Sequence, residues 1–227
     1  MIKIMWAAAL GGLVLLAGLS GGAAWAQPKE LPAQIVTLGG AGEVHRKDTP
    51  AWAPAELRAR LGEGDSVRTQ VGGRIALKTA SGQALRLGSR SQLAFLPSPP
   101  SAEPGPTRVR LDNGWLWIAV APNSPPPTQI EVQAGTAVVT VRAAGVGLRR
   151  GPDGSLLVQV HHGSAVCAGP DRQWERTLTG PQELLIPAAG TPGKPVPLAV
   201  DKLEATWVKW NADQDVAGGY GGTKPAP

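Results

Sequence analysis

The chain has 227 residues, 22 Lys and Arg against 17 Asp and Glu, and a formal net charge of +5. It holds 30 Gly and 22 Pro but one Phe, one Tyr and one Cys, a composition that suits frequent turns between short strands. The basic residues are scattered, with only Arg58/Arg60 and Arg149-Arg150 close together. The basic stripe interleaved with aromatics that marks a nucleic-acid binder is therefore missing, and the lone Cys167 excludes an intramolecular disulfide.

At the N-terminus, Lys3 precedes an uncharged run from Ile4 to Leu19, and a Gly/Ala stretch closes on Ala24-Trp25-Ala26 before Gln27. A positive start, an apolar middle and small residues at −3 and −1 make a secretory signal. A run of ~20 apolar residues is also long enough for a membrane anchor, but the small-residue end favours cleavage after Ala26. No cysteine follows the run, so a lipid anchor is not expected. The expectation is a periplasmic mature form that does not span the membrane, with a loose leader over residues 27–34.

Strands follow in chain order. Ile35–Leu38 and Glu43–His45 flank the turn at Gly39-Gly40, and Pro50–Arg60 reads equally as a loop or one helical turn. From Asp65 the period becomes two: Val67, Thr69 and Val71, then Ile75, Leu77 and Thr79, then Leu85/Leu87 and Leu93/Phe95 alternate with polar neighbours, as in half-buried strands. Pro97–Pro106 is an exposed loop. Asn113-Gly114 is a tight-turn signal before Trp115–Val120, a continuous apolar run that predicts burial on both faces. After the proline loop Pro122–Pro127 come Ile130/Val132, Ala137–Val141, Val146/Leu148, Leu156–Val160 and Ser164–Cys167. Many short strands in a meander predict an all-β domain over 35–211, a β-sandwich or a β-helix-like solenoid. Val200, Leu203, Trp207 and Trp210 fall at helical spacing, so one short C-terminal helix should lay its tryptophans on the sheet, with a disordered tail over 212–227.

Catalytic chemistry finds no foothold. No phosphate loop, zinc-protease or nucleophile-elbow motif is present. Cys167 ends an apolar strand and reads as a buried, inert thiol. His161 and His162 are adjacent in a strand and should face opposite ways, so they should not share a metal. Asp65 beside Gly64 reads as turn chemistry, and Asp213/Asp215 as part of the polar tail. No catalytic residue, metal or cofactor is expected.

A set of motifs in order carries a family resemblance. Leu61-Gly62-x-Gly64-Asp65-x-Val67-x-Thr69, Gly73-Arg74-Ile75-Ala76-Leu77 and Gly82-x-x-Leu85-x-Leu87 come first. Val109-x-Leu111-x-x-Gly114, Ile130-x-Val132, Val139-x-Val141-Arg142 and Val158-x-Val160-x-x-Gly163-x-Ala165-Val166 follow, and Trp207-x-x-Trp210-Asn211 closes the run. Together, over about residues 35–211, they resemble the FecR domain family. The chain departs from that pattern at Ala143-Ala144 (Gly-Thr in the family), at Ser81-Gly82-Gln83 (Asp-Gly-Ser) and at Arg90-Ser91 (Asn-Ser). The resemblance implies a β-rich fold, a role in protein–protein contact in the periplasm and a link to signalling, with an outer-membrane or periplasmic protein as partner.

Two binding surfaces are candidates. For a protein partner they are the turn Gly88, Ser89, Arg90 and Ser91 and the Pro97–Pro106 loop. The alternative is a glycan or peptidoglycan ligand stacking on tryptophan. Of eight tryptophans, Trp6 and Trp25 leave with the signal and Trp115, Trp117, Trp207 and Trp210 fit apolar faces, so this reading rests on Trp52 and Trp174.

Overall fold

The computed structural model describes residues 32–98, 105–124 and 129–221. The stretch read as an export signal, the part of the expected leader up to residue 31, residues 99–104 and 125–128 of the two proline-rich segments, and residues 222–227 lie outside them. The first strands are β1 (Ala33–Gly39), β2 (Gly42–His45), β3 (Trp52–Pro54), β4 (Arg60–Leu61) and β5 (Ser66–Thr69). Next come β6 (Arg74–Thr79), β7 (Ala84–Leu87), β8 (Gln92–Phe95), β9 (Thr107–Ala119) and β10 (Ile130–Ala134). The series ends with β11 (Ala137–Arg150), β12 (Leu156–Ala168), β13 (Glu175–Thr179), β14 (Gln182–Ile186) and β15 (Val196–Pro197), before helix α1 (Lys202–Gly218).

The all-β expectation holds: the strands form one large mixed sheet with a single C-terminal helix, not closed as a barrel. Its ladders resolve into two layers. One runs β15-β14-β12-β11-β9-β7-β6-β1-β4, using the first half of β12 and the second halves of β11 and β9. The other runs β13-β12-β11-β10-β9-β8-β5-β2-β3 through the opposite halves of the same long strands. Three strands thus bend and change layer, the device that makes sandwich corners. In β9 the bend is at Asn113-Gly114 (Gly114 φ 85°), in β11 at Ala143–Gly145 (Ala143 φ 44°) and in β12 at His162-Gly163 (Gly163 φ 74°). A Cβ on Gly163 would collide with the Ala143 carbonyl and with Ala144.

Period-two alternation fills the space between the layers. Ile75 and Leu77, Leu85 and Leu87, Val109 and Leu111, Val139 and Val141, and Val158 and Val160 all enter one continuous core. Each such side chain contributes about 1.5–3 kcal/mol by leaving water. Within Trp115–Val120, Leu116 and Ile118 join this core, whereas Trp117 and Ala119 point outward and are covered with Trp207, Val208 and Tyr220. The run is therefore buried on both faces, as its composition implied.

Four expectations need correction. Pro50–Arg60 holds β3 and part of β4, without a helical turn. The first strand starts at Ala33, inside the stretch read as leader. Val71 does not alternate inward: β5 stops at Thr69, and Val71 stands 69% exposed on the turn before β6. The helix runs to Gly218, seven residues into the stretch read as a disordered tail, and ends on Gly219 in the left-handed conformation.

The helix is also held by other residues than expected. Asp201 caps its N-terminus, accepting from the Glu204 N–H at 2.8 Å. The deeply buried positions are Glu204, Asn211 and Asp215, at i, i+7 and i+11. The Asp215 carboxylate accepts from Arg86 Nη1 at 2.5 Å and from Trp117 Nε1 at 2.8 Å, with both side chains of the ion pair almost wholly buried. Glu204 pairs with Arg149 at 3.0 Å and accepts from Gln159 Nε2 at 3.1 Å. Trp207 is partly buried, Trp210 stacks on Trp207 at 5.5 Å on the helix flank, and Val200 is exposed; the Leu203 side chain lies outside the described structure.

Both histidines face this helix. Gly145 pairs with His162 and Val146 with Val160, which leaves His161 as an extra residue in β12. Such a bulge re-aims side chains. The expected opposite orientation is lost: His161 lies 4.6 Å from the Trp117 ring and His162 Nε2 lies 3.9 Å from Asp215 Oδ2. Among the described residues no cluster of His, Cys, Asp and Glu is arranged to hold a metal.

Replacing Asp215 by Ala leaves the buried Arg86 without its carboxylate, with only long contacts to Asn211, and should cost about 3–5 kcal/mol, read as a lower midpoint in urea unfolding; a change under 1 kcal/mol would refute the anchor role. Burial, with repulsion from His162 and against attraction by Asp215, lowers His161 from 6.5 to about 4. The unfolded chain therefore binds this proton first, so the stability contributed by neutral His161 is complete above pH 6.5 and drains away as pH falls toward 4. His161→Gln should flatten the wild-type decline in melting temperature across that window, and an unchanged slope would show that another group sets it.

Candidate functional site

A groove of about 880 Å3 opens on the outer face of the helix-bearing layer, within the range of ligand-sized clefts. Its apolar lining comes from Trp115, Leu157, Leu185 and Val71, and its polar rim from Arg90, Arg149 and Arg150. Leu157 and Leu185 are cross-strand partners of β12 and β14, and Leu185 is 60% exposed. The strand period explains the arrangement: residues between core positions must face outward, and here the outward positions carry leucine and tryptophan rather than charge.

One wall is the turn Gly88–Ser91, which is rigidly mounted. The Gly88 N–H donates to the Trp115 carbonyl at 3.1 Å, and Thr69 Oγ1 donates to the Gly88 carbonyl at 2.5 Å. Ser91 Oγ accepts from the Trp115 N–H at 2.7 Å, Ser89 Oγ accepts from the Gly72 N–H at 2.9 Å, and Asn113 Nδ2 donates to the Arg90 carbonyl at 2.7 Å. A Cβ on Gly114 would strike Ser91 and the Arg90 carbonyl, so the bend of β9 and this turn require each other. Gly88 and Ser91 are buried within the mount, while Ser89 and Arg90 are exposed and line the groove. Arg90 holds φ 53°, a conformation that asparagine and glycine adopt more cheaply.

The charges are unequal. Arg149 is engaged by Glu204 and lies over the Trp115 ring at 5.1 Å. Arg150 donates to the Leu111 carbonyl at 3.0 Å, and neither Arg150 nor Arg90 has a carboxylate partner among the described residues. The groove's acid, Asp153, accepts from the Ser155 N–H and hydroxyl, which holds its carboxyl below the usual range.

The remaining candidates fall elsewhere. Trp174 is a core residue, 8% exposed, because its indole packs against Gly169; it offers no stacking platform. Trp52 is half-buried in β3 with the Arg68 guanidinium 4.2 Å above its ring and His45 beside it. The two tryptophans of the glycan reading are thus not brought together as an open aromatic surface. The tryptophan that does reach a cleft is Trp115, which alternation from buried Leu116 could have placed on the outer face. Asp65 is buried, and burial works to raise its carboxyl, yet the Gly62 N–H, Arg46 and the Lys47 N–H hold it below its ordinary value. Cys167 lies in the core, where burial pushes its thiol up to about 12.

Residues 65–166 match the family described as FecR protein. The match covers less than half of the chain and falls on the family that its motifs resemble. That span includes the mounted turn, the Gly114 bend and the three rim arginines of the groove, and lies within the stretch of motifs noted in the sequence; Leu185 and α1 fall beyond the FecR match. No curated protein matches the chain. Two crystal structures of a provisionally assigned anti-sigma factor from Parabacteroides distasonis ATCC 8503 are similar at 14% identity and a TM-score of 0.49. The first, at 2.50 Å, is matched over 63% of this chain and 64% of its own length; the second, at 1.65 Å, over 68% and 74%.

Arg90→Asn should raise stability by about 0.5–1 kcal/mol, since asparagine tolerates the left-handed conformation better than arginine. Thermal unfolding measures it, and a loss of stability would show that the guanidinium makes a structural contact.

Proposed function

We propose that this chain is exported and works in the periplasm as a non-enzymatic protein-interaction module of the cell envelope, in a signalling-related contact. The observation that carries the reading is the groove: a cationic turn held by backbone-directed hydrogen bonds, beside an apolar floor. Preorganised, partly apolar clefts with a few placed charges are how binding modules gain affinity. The FecR match supports a regulatory rather than a catalytic role, and the N-terminal pattern of Lys3, the Ile4–Leu19 run and Ala24-Trp25-Ala26 supports export.

The test is expression of the tagged full-length protein in a Gram-negative host, followed by fractionation, N-terminal sequencing and crosslinking with mass spectrometry. The expected result is a periplasmic form beginning at Gln27 that crosslinks to a specific envelope protein. Retention of residues 1–26, or recovery of peptidoglycan fragments with no protein, would overturn the reading.

A further inference from the structure

We infer that the groove takes an extended peptide segment of a partner protein that presents carboxylates together with aliphatic side chains. The inference rests on the interaction reading above and names the chemistry of the partner.

Charge comes first. Arg90 is exposed at the cleft without a carboxylate partner among the described residues, and the acid among the described lining residues, Asp153, is turned to its own loop through Ser155. An anionic partner is the complement, and the guanidinium fork favours planar carboxylates that accept two hydrogen bonds. Apolar surface comes second. Val71 and Leu185, both more than half exposed, flank Trp115 and Leu157. Two exposed aliphatic side chains converging on one cleft leave apolar area that an aliphatic ligand side chain would remove from water.

The aliphatic floor decides for a peptide over an anionic sugar, since Leu157, Leu185 and Val71 offer no ring for a sugar to stack on. Leu185, Leu157 and Trp115 stand on β14, β12 and β9, with Arg90 beyond them, so the cleft runs across the strands. An extended segment lying along it would alternate its side chains, one set meeting the leucines and the other free to reach Arg90. Arg90 fits a functional placement too: a left-handed arginine at a rigidly held turn is a local cost that the fold could avoid with asparagine.

The probe is a synthetic peptide alternating Glu and Leu, carrying a neutral dye, titrated against the purified full-length protein by fluorescence anisotropy. A peptide of the same length alternating Lys and Leu is the control, and soluble peptidoglycan fragments are the competitor. The Glu/Leu peptide should bind at least about tenfold more tightly than the Lys/Leu peptide and weaken with salt. Arg90→Glu and Leu185→Glu, both at exposed positions, should each weaken binding by about tenfold or more, about 1.4 kcal/mol, while circular dichroism and melting temperature stay near wild type. Equal affinity for the two peptides, or variants that bind like wild type, would overturn the inference. So would glycan fragments that bind where the Glu/Leu peptide does not. A wild-type protein that crosslinks to an envelope protein as strongly as its Arg90→Glu and Leu185→Glu variants would sink this site and leave the interaction reading standing; absence of any crosslinked protein sinks that reading itself.

Discussion

The three layer-crossing bends are the constraint on which the rest of the structure depends. A sheet of this size must curl or fold over to bury its apolar face, and here β9, β11 and β12 do so by bending in mid-strand. Each bend needs backbone that most residues resist: Gly114 and Gly163 supply positive φ, and Ala143 accepts it at φ 44°. Ala143 stands where the FecR pattern has glycine, so this chain keeps the geometry with a residue that adopts it at a cost of about 1 kcal/mol. Because the strands are continuous through the corners, both layers draw on the same long segments and the core is single.

The same bends position what lies outside the core. At Gly114 the chain passes so close to Arg90 and Ser91 that the turn and the bend lock together, which places Arg90 at the groove. At Ala143–Gly145 and His162-Gly163 the mismatch in residue count produces the bulge, and the bulge turns His161 and His162 toward the helix. A structural solution for closing the sandwich therefore sets two surfaces at once.

Much of this was legible because strand period is a strong signal. The alternating runs from Ser66 to Phe95 and from Thr107 to Cys167 place nearly every inward residue, and Leu116 and Ile118 against Trp117 and Ala119 show the two-sided burial directly. The short strands at 52–54, 60–61 and 196–197 span too few residues to show a period, and the strands at 175–179 and 182–186 carry charged residues at outward positions that mask the pattern. The helix misled for a physical reason. Its buried face is defined by Glu204, Asn211 and Asp215, polar residues made acceptable by Arg149, Gln159, Arg86 and Trp117 from the sheet. Helical spacing of apolar residues cannot reveal a face whose cost of burial is met by partners up to about 130 positions away in sequence.

The groove was half legible for the same kind of reason. The Gly88–Ser91 turn stood out as a departure from a family pattern, and Arg149-Arg150 as a rare basic pair, but nothing local joins them; they meet because β9 runs between β7 and β11 in one layer. Trp115 was assigned to the core by its apolar neighbours, although the alternation that buries Leu116 puts it on the other face. Polar anchoring of α1 adds the last element. Glu204 neutralises Arg149 and holds it over Trp115, so the helix both covers half of the outer face and trims the charge at the edge of the half it leaves open. What remains cationic at the cleft is then Arg90, since Arg150 is turned to the Leu111 carbonyl. The charge of the cleft is in that sense a product of the helix docking as much as of the residues that line it.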